Sequence, residues 1–227
     1  MTCDVARGAG QDYSAFTVID VTEMPYKLVC RYRNNEIPPL LYPSVIEKIA
    51  KEYNDAWVMV EANDIGGQVA DILYYDIEYE NMISTAMKGR SGQVVGTGFA
   101  KGSIFGVRTT PQVKRIGCRV LKALIEEKKL LILDFDTVAE LTTFCTKSKS
   151  YAATEGHFDD LVMTMVLFSW LTNQTYFKDL LDQDLRTRMY SDRMKALEAD
   201  LTPFGIVDDG LGVDGFVDAD GEHWTYV

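Results

Sequence analysis

The alternation of apolar and polar positions divides the chain into strand-like and helix-like stretches. Thr2-Cys3-Asp4-Val5-Ala6 reads as the end of a strand, followed by a turn over Arg7-Gly8-Ala9-Gly10-Gln11-Asp12. Tyr13 to Val21 and Tyr26 to Tyr32 are rich in β-branched and aromatic residues and joined around Glu23-Met24-Pro25, which predicts an antiparallel meander. Only three residues precede Asp4, short for a strand that carries an inward-facing acid, so the chain is expected to begin inside a larger polypeptide. Pro43-Ser44 opens a helix to Tyr53 with Val45, Ile46, Ile49 and Ala50 on one stripe. Ala56-Trp57-Val58-Met59-Val60-Glu61 is a continuous apolar run ending in an acid, the pattern of a strand buried on both faces. The carboxyl ends of such strands open onto the ligand crevice of an α/β sheet.

Asn63-Asp64-Ile65-Gly66-Gly67 then turns into a helix through Tyr74, with Asp64 read as its cap. Lys88 to Gly106 carries six glycines and reads as a mobile loop or hairpin. Thr110-Pro111 starts a helix to Lys129 that turns Val113, Ile116, Val120, Leu121 and Leu124 to a core and its basic residues largely away. Leu130 to Leu133 is a short strand, and Thr137-Val138-Ala139-Glu140 gives the next helix a capping-box start. The polar stretch Thr146 to Gly156 leads to a long apolar helix through Trp170. Tyr176 to Ala199 predicts one or two charged amphipathic helices, and the Gly/Asp-rich tail from Thr202 is expected to be loosely ordered.

Composition adds limits. A chain of 227 residues, 47% hydrophobic, can bury a sizeable core. No apolar run approaches the ~18 residues of a membrane span and no signal-peptide pattern opens the chain, so a cytosolic protein is expected. Without a secretory signal the sequon Asn173-Gln174-Thr175 carries no weight. Cys3, Cys30, Cys118 and Cys145 form no CxxC pair and fit buried reduced thiols. The net charge of −11 opposes binding of a polyanion by overall attraction. Locally, seven Lys and Arg against Glu126 and Glu127 between Arg108 and Lys129 leave +5, whereas 202–227 holds six acids and no Lys or Arg. The basic strip is either a solvated helix face or a place for a polyanion.

Candidate chemistry centres on Gly156-His157-Phe158-Asp159-Asp160-Leu161, where two acids stand between loop and helix. One reading is a capping pair favoured by free amides and the helix dipole. The other takes in Asp4 and Glu61, each at the end of a strand-like run. Acids from three separate elements point to a divalent-metal site, since magnesium-type ions want oxygen ligands and accept one or two carboxylates each. Two such ions about 3.5–4 Å apart activate water and stabilise a leaving oxygen in phosphodiester cleavage. The chain has no HExxH, no Gly-x-Ser-x-Gly, no phosphate-binding loop and only two histidines, which disfavours zinc hydrolysis, Ser/His catalysis and a nucleotide site. Asp12 is either a turn residue bonded to its own backbone or a partner of a metal or its water, and His157 reads as a solvent-facing loop residue. Asp218-Ala219-Asp220-Gly221-Glu222 lacks the first acid of a calcium loop, because Phe216 occupies that position.

The order of elements resembles the RNase H/RuvC-like nuclease fold, an α/β arrangement with a central mixed sheet of three antiparallel strands plus parallel strands, flanked by helices. More narrowly, Asp4-Val5-Ala6-Arg7-Gly8-x-Gly10-x-Asp12-Tyr13-Ser14, Val60-Glu61-x-Asn63, Gly106-x-Arg108-Thr109-Thr110 and His157-x-Asp159-Asp160-Leu161-Val162-Met163 resemble the C-terminal nuclease domain of the large terminase subunit of T-even-type tailed bacteriophages. The resemblance runs from Asp4 to about Phe204. It implies a nuclease domain over 1–200 with an acidic tail over 201–227. The implied activity is a metal-dependent endonuclease that cuts concatemeric double-stranded DNA during genome packaging in the host cytoplasm. It also implies Asp4, Glu61 and Asp159 as catalytic metal ligands, Asp159 being favoured because related ligands precede x-Leu-Ala. Asp160 and Asp12 are further candidates. Mg2+ is the implied cofactor, with Mn2+ able to substitute. Arg108, Lys114 and Arg115 are candidates for DNA contact. Implied partners are a preceding packaging ATPase domain, the portal and the small terminase subunit, with no membrane. The alternative is a non-catalytic docking module whose acids are structural.

Overall fold

The computed structural model describes residues 1–10, 12–89, 92–96, 102–147, 150–177, 179, 193–194, 215–217 and 222–225. The chain divides into two units, Met1–Gln183 and Asp184–Val227. In the first, β1 (Thr2–Asp4), β2 (Ser14–Asp20) and β3 (Tyr26–Asn34) form the expected meander, and α1 (Tyr42–Glu52) follows with Pro43 in its first turn. The apolar run after it yields a shorter strand than expected, β4 (Met59–Val60), with Val58 and Glu61 making single bridges to Met82 and Val107. Next come α2 (Gly66–Asp71), continued by a π-helical turn over Ile72–Asp76, and three short strands, β5 (Ser84–Met87), β6 (Gln93–Gly96) and β7 (Ile104–Phe105). The glycine-rich stretch is thus a hairpin partner of β5 where described.

α3 (Pro111–Glu126) is capped by the Thr110 hydroxyl, which accepts from Val113 N–H at 3.3 Å. β8 (Leu130–Leu131) and α4 (Phe135–Thr143) follow. The expected capping box at Thr137 does not form. Asp134 is the cap of α4, its carboxylate accepting from the Thr137 N–H at 2.8 Å, and Glu140 faces a different helix. The polar stretch expected as a lead-in forms a hairpin of β9 (Phe144–Lys147) and β10 (Ser150–Ala153) before α5 (Asp160–Thr172). In the second unit β11 (Gly215–Val217) pairs with β12 (His223–Thr225), so part of the expected loose tail is a hairpin. The amphipathic helices expected over Tyr176 to Ala199 lie mostly outside the described residues.

The main sheet has the order β4-β1-β2-β3-β8, with β4 parallel to β1 and β8 parallel to β3. Period-two alternation splits its side chains between two cores. Cys3, Phe16, Val18, Val58 and Val60 pack with Tyr42, Ile46 and Ala50 of α1 and Val69 and Ala70 of α2. Met59 and Ile19 pack on the other face with α3 and α5. Every residue of α5 from Leu161 to Leu171 is buried, which is why no stripe marks its inner face. Gly117 lets α3 approach closely, since a Cβ there would sit 2.4 Å from the Val166 carbonyl oxygen. A chain of buried hydroxyls joins the layers. Thr17 donates to Thr164 at 2.9 Å and Thr164 to the Leu161 carbonyl at 2.7 Å, so at the 3.1 Å contact between Thr2 and Thr17 the proton comes from Thr2.

Candidate metal centre

Asp4 and Glu61 leave adjacent parallel strands at the same level. Thr2 pairs with Met59 and Cys3 with Val60, and the Glu61 N–H donates to the Cys3 carbonyl at 2.8 Å. Alternation puts Asp4 on the face of Thr2, and Glu61 on that of Met59, which is the α5 side of the sheet. Their carboxyl groups hydrogen-bond each other. Asp4 is therefore held protonated well above the usual carboxylate range, first by burial, then by the charge and hydrogen bond of Glu61 and by the charge of Asp160, against a lowering contribution from the Val5 N–H. Asn63 Nδ2 donates to Glu61 Oε1 at 3.1 Å and also reaches the Thr109 carbonyl at 3.4 Å.

Two glycines shape the chain around Glu61. A Cβ on Gly66, in the first turn of α2, would lie 1.8 Å from the Glu61 carbonyl oxygen. At Gly106, with φ +87, it would lie 2.2 Å from that of Val60. No side chain fits either gap, so α2 and the segment carrying Val107 close directly on the end of β4.

The Asp159–Asp160 pair does not cap its helix. Asp159 is the N-cap residue of α5 but makes no capping bond, and its Oδ2 accepts from the Ala153 N–H of β10 at 3.3 Å. The free amides of Leu161 and Val162 donate instead to Glu140 Oε2 of α4, at 2.8 and 3.2 Å. Asp160 accepts from the Tyr13 N–H, while its Oδ2 is buried with no hydrogen-bond partner. Its carboxyl is pushed up to about 7, by burial first and then by the charges of Glu140, Asp159 and Asp12. Of the pair, Asp160 is the one whose charge acts on Asp4.

Asp12 and His157 are exposed, and the His157 N–H donates to the Thr154 carbonyl at 3.1 Å. Asp64 pairs with Arg7 at 2.7 Å and makes no cap to α2. Arg108 is exposed, its backbone N–H donating to Gln93 Oε1 at 2.8 Å. Lys114 lies 5.9 Å over the Phe144 ring, and Arg115 is exposed. The Cys118 thiol, pushed up to about 11 by burial, feels the charges of both Lys114 and Asp159, which ties this part of α3 to the head of α5. Sequence reasoning missed Glu140, Arg33 and Tyr13. The Thr137-x-x-Glu140 spacing imitated a capping box, and nothing local signals the Arg33–Glu140 ion pair at 2.6 Å.

These donors suit a hard divalent cation. They are carboxylate oxygens crowded enough to hold protons, one of them orphaned, and the nearby Cys3 thiol, pushed up to about 12 by burial, offers no thiolate. Among the described residues no three of Asp, Glu, His and Cys stand close enough to coordinate one ion together. Asp4 and Glu61 form the close pair, with Asp160 within electrostatic reach.

The family model for the terminase RNaseH-like domain matches residues 1–181. Two solved structures of the large terminase nuclease from thermophilic phage G20c, one with bound cobalt and one with bound magnesium, are similar in fold. Each is 18% identical and the match covers 74% of this chain and 77% of that chain, with TM-scores of 0.53 and 0.54. The mixed sheet flanked by helices is that of an RNase H-like domain. With the family model spanning the sheet, the helices and both acidic clusters, the chain belongs to the terminase RNase H-like domain family.

Proposed function

We propose that the chain is a divalent-metal-dependent endonuclease that cuts concatemeric double-stranded viral DNA during genome packaging. The observation that carries this reading is the meeting of Asp4 and Glu61, from strands far apart in sequence, with the charge of Asp160 acting on them. Asp4 and Glu61, the close pair, would hold a divalent ion, Mg2+ or in its place Mn2+, with Asp160 as the carboxylate for a second ion. Asp159 and Asp12 stand next to Asp160 as further oxygen donors. Asp160 is preferred to Asp159 because its Oδ2 is buried without a donor and its charge acts on Asp4. A bound divalent cation supplies Lewis-acid activation of water and stabilises the leaving oxygen. The protein's own part is to keep the carboxylates together. Asn63 orients Glu61, the Val5 and Tyr13 amides orient Asp4 and Asp160, and the glycine contacts close the strand end behind them.

Arg108, Lys114 and Arg115 are proposed to meet the DNA backbone, in keeping with the link between Lys114, Cys118 and Asp159. The motif resemblance to T-even-type phages extends the proposal to a packaging ATPase domain in the same polypeptide, to the portal and small terminase subunit as partners, and to action in the host cytoplasm. No described helix is long and apolar enough to cross a membrane. Cleavage of supercoiled plasmid in Mg2+ or Mn2+ tests the proposal. Asp4→Asn, Glu61→Gln and Asp160→Asn are each expected to lower the rate at least about 100-fold, beyond what loss of an outer-shell partner does, with circular dichroism unchanged. Wild-type rates in any two of them would end it. The spacing of the acids, with no three close enough for one ion, favours a second reading as a non-catalytic docking module. That reading expects no metal-stimulated cleavage by the wild-type chain.

A further inference from the structure

An Asp at the N-cap ordinarily turns its carboxylate onto the amides of the next turn. At the head of α5 those amides are already taken. Leu161 and Val162 donate to Glu140 Oε2, which reaches them from α4. Glu140 is only 6% exposed, and its second oxygen accepts from Arg33 Nη1 of β3 at 2.6 Å. Both oxygens of Glu140 are thus engaged within the protein. Its partner Arg33 continues the same arrangement. The guanidinium lies 4.5 Å over the ring of Tyr13, the residue whose N–H bonds to Asp160. The edge of that ring meets Phe158, next to Asp159, with centroids 4.8 Å apart at 87°.

We propose that Glu140 is a positioning residue for the metal centre. By capping α5 in trans, it keeps the Asp159 and Asp160 carboxylates out of their own helix and available to a divalent cation, while Arg33 fixes it against the strand meander. Remove the trans cap, and the nearest acceptor for the bare amides is Asp159 itself, the residue type that helix N-termini favour most. The carboxylate would fold back onto α5, and the acids would become the capping pair that their sequence resembles.

The inference rests on the metal-site reading above and is tested without DNA, by electron paramagnetic resonance titration of Mn2+ into the full 227-residue chain. A wild-type chain that binds no manganese removes the metal-site reading itself. If the wild type binds, the variants test Glu140 alone. Glu140→Ala is expected to weaken Mn2+ binding about tenfold or more, the scale of an outer-shell partner. Glu140→Gln keeps a side-chain oxygen for the two amides while giving up the charge, and is expected to stay within about threefold of wild type. Wild-type affinity in a folded Glu140→Ala variant would overturn the inference, as would a tenfold loss in Glu140→Gln. Should Glu140→Ala fail to fold, the Gln variant decides by the same limits.

Discussion

Asp160 keeps its proton up to about pH 7 because burial and the neighbouring charges of Glu140, Asp159 and Asp12 oppose ionisation. The same group titrates near 3.8 when unperturbed, so folding favours its protonated form. That contribution to stability is complete below about pH 4 and is lost as pH rises through about 7. In chelator, the melting temperature of the wild type is therefore expected to fall between pH 5 and pH 8, and Asp160→Asn to flatten the fall. Calorimetry across that range checks this, and an unchanged slope in the variant would refute it. Asp4 and Glu61 were legible as residues because each closes an apolar run at the carboxyl end of a strand. Glu140 was not, since Arg33 is 107 positions away and the α5 amides 21 and 22 positions away. The choice within the acidic pair turns on the same distant contacts. The x-Leu-Ala pattern points to Asp159, and the proposal of Asp160 rests on the charge it exerts on Asp4 and on its unpartnered buried oxygen.

Among the elements, α5 joins the candidate site to the core. Its hydroxyl chain to β1 and β2 is buried throughout, so removing its middle member leaves Thr2 and Thr164 short of a partner. Thr17→Val, nearly isosteric, is expected to cost about 1–3 kcal/mol, measured by urea unfolding at constant m-value. A variant as stable as wild type would show that the hydroxyls contribute nothing net. The meander, α1 and α3 were legible because their apolar periods are regular and Pro43 and Pro111 mark two helix starts. α5 was legible as a helix but not in orientation, because it is apolar all round. The β9–β10 hairpin left no apolar alternation to read, since none of the residues in its short strands is buried. β4 shrank because its edge is divided between Met82 and Val107 rather than one long partner.

At the scale of the molecule, a net charge of −11 means that any DNA contact is local. Replacing Arg108, Lys114 or Arg115 by Ala is expected to reduce the slope of log affinity against log salt by roughly one each, with the same effect across DNA sequences. Filter binding in calcium over a salt series reads this directly, and an unaltered slope in all three would remove the strip from the interface. The antiparallel meander of β1, β2 and β3 was legible in the sequence, whereas the attachments of β4 beside β1 and of β8 beside β3 are long-range parallel pairings that no local pattern announces. The hydrogen bond between Asp4 and Glu61 has one more consequence. If the proposed site holds an ion, its departure leaves a proton shared between the two carboxyls, and the strand ends stay latched where repulsion would otherwise prise them apart. Stripping and reloading should therefore be a reversible cycle on an intact scaffold, with acid and chelator acting as equivalent safety catches.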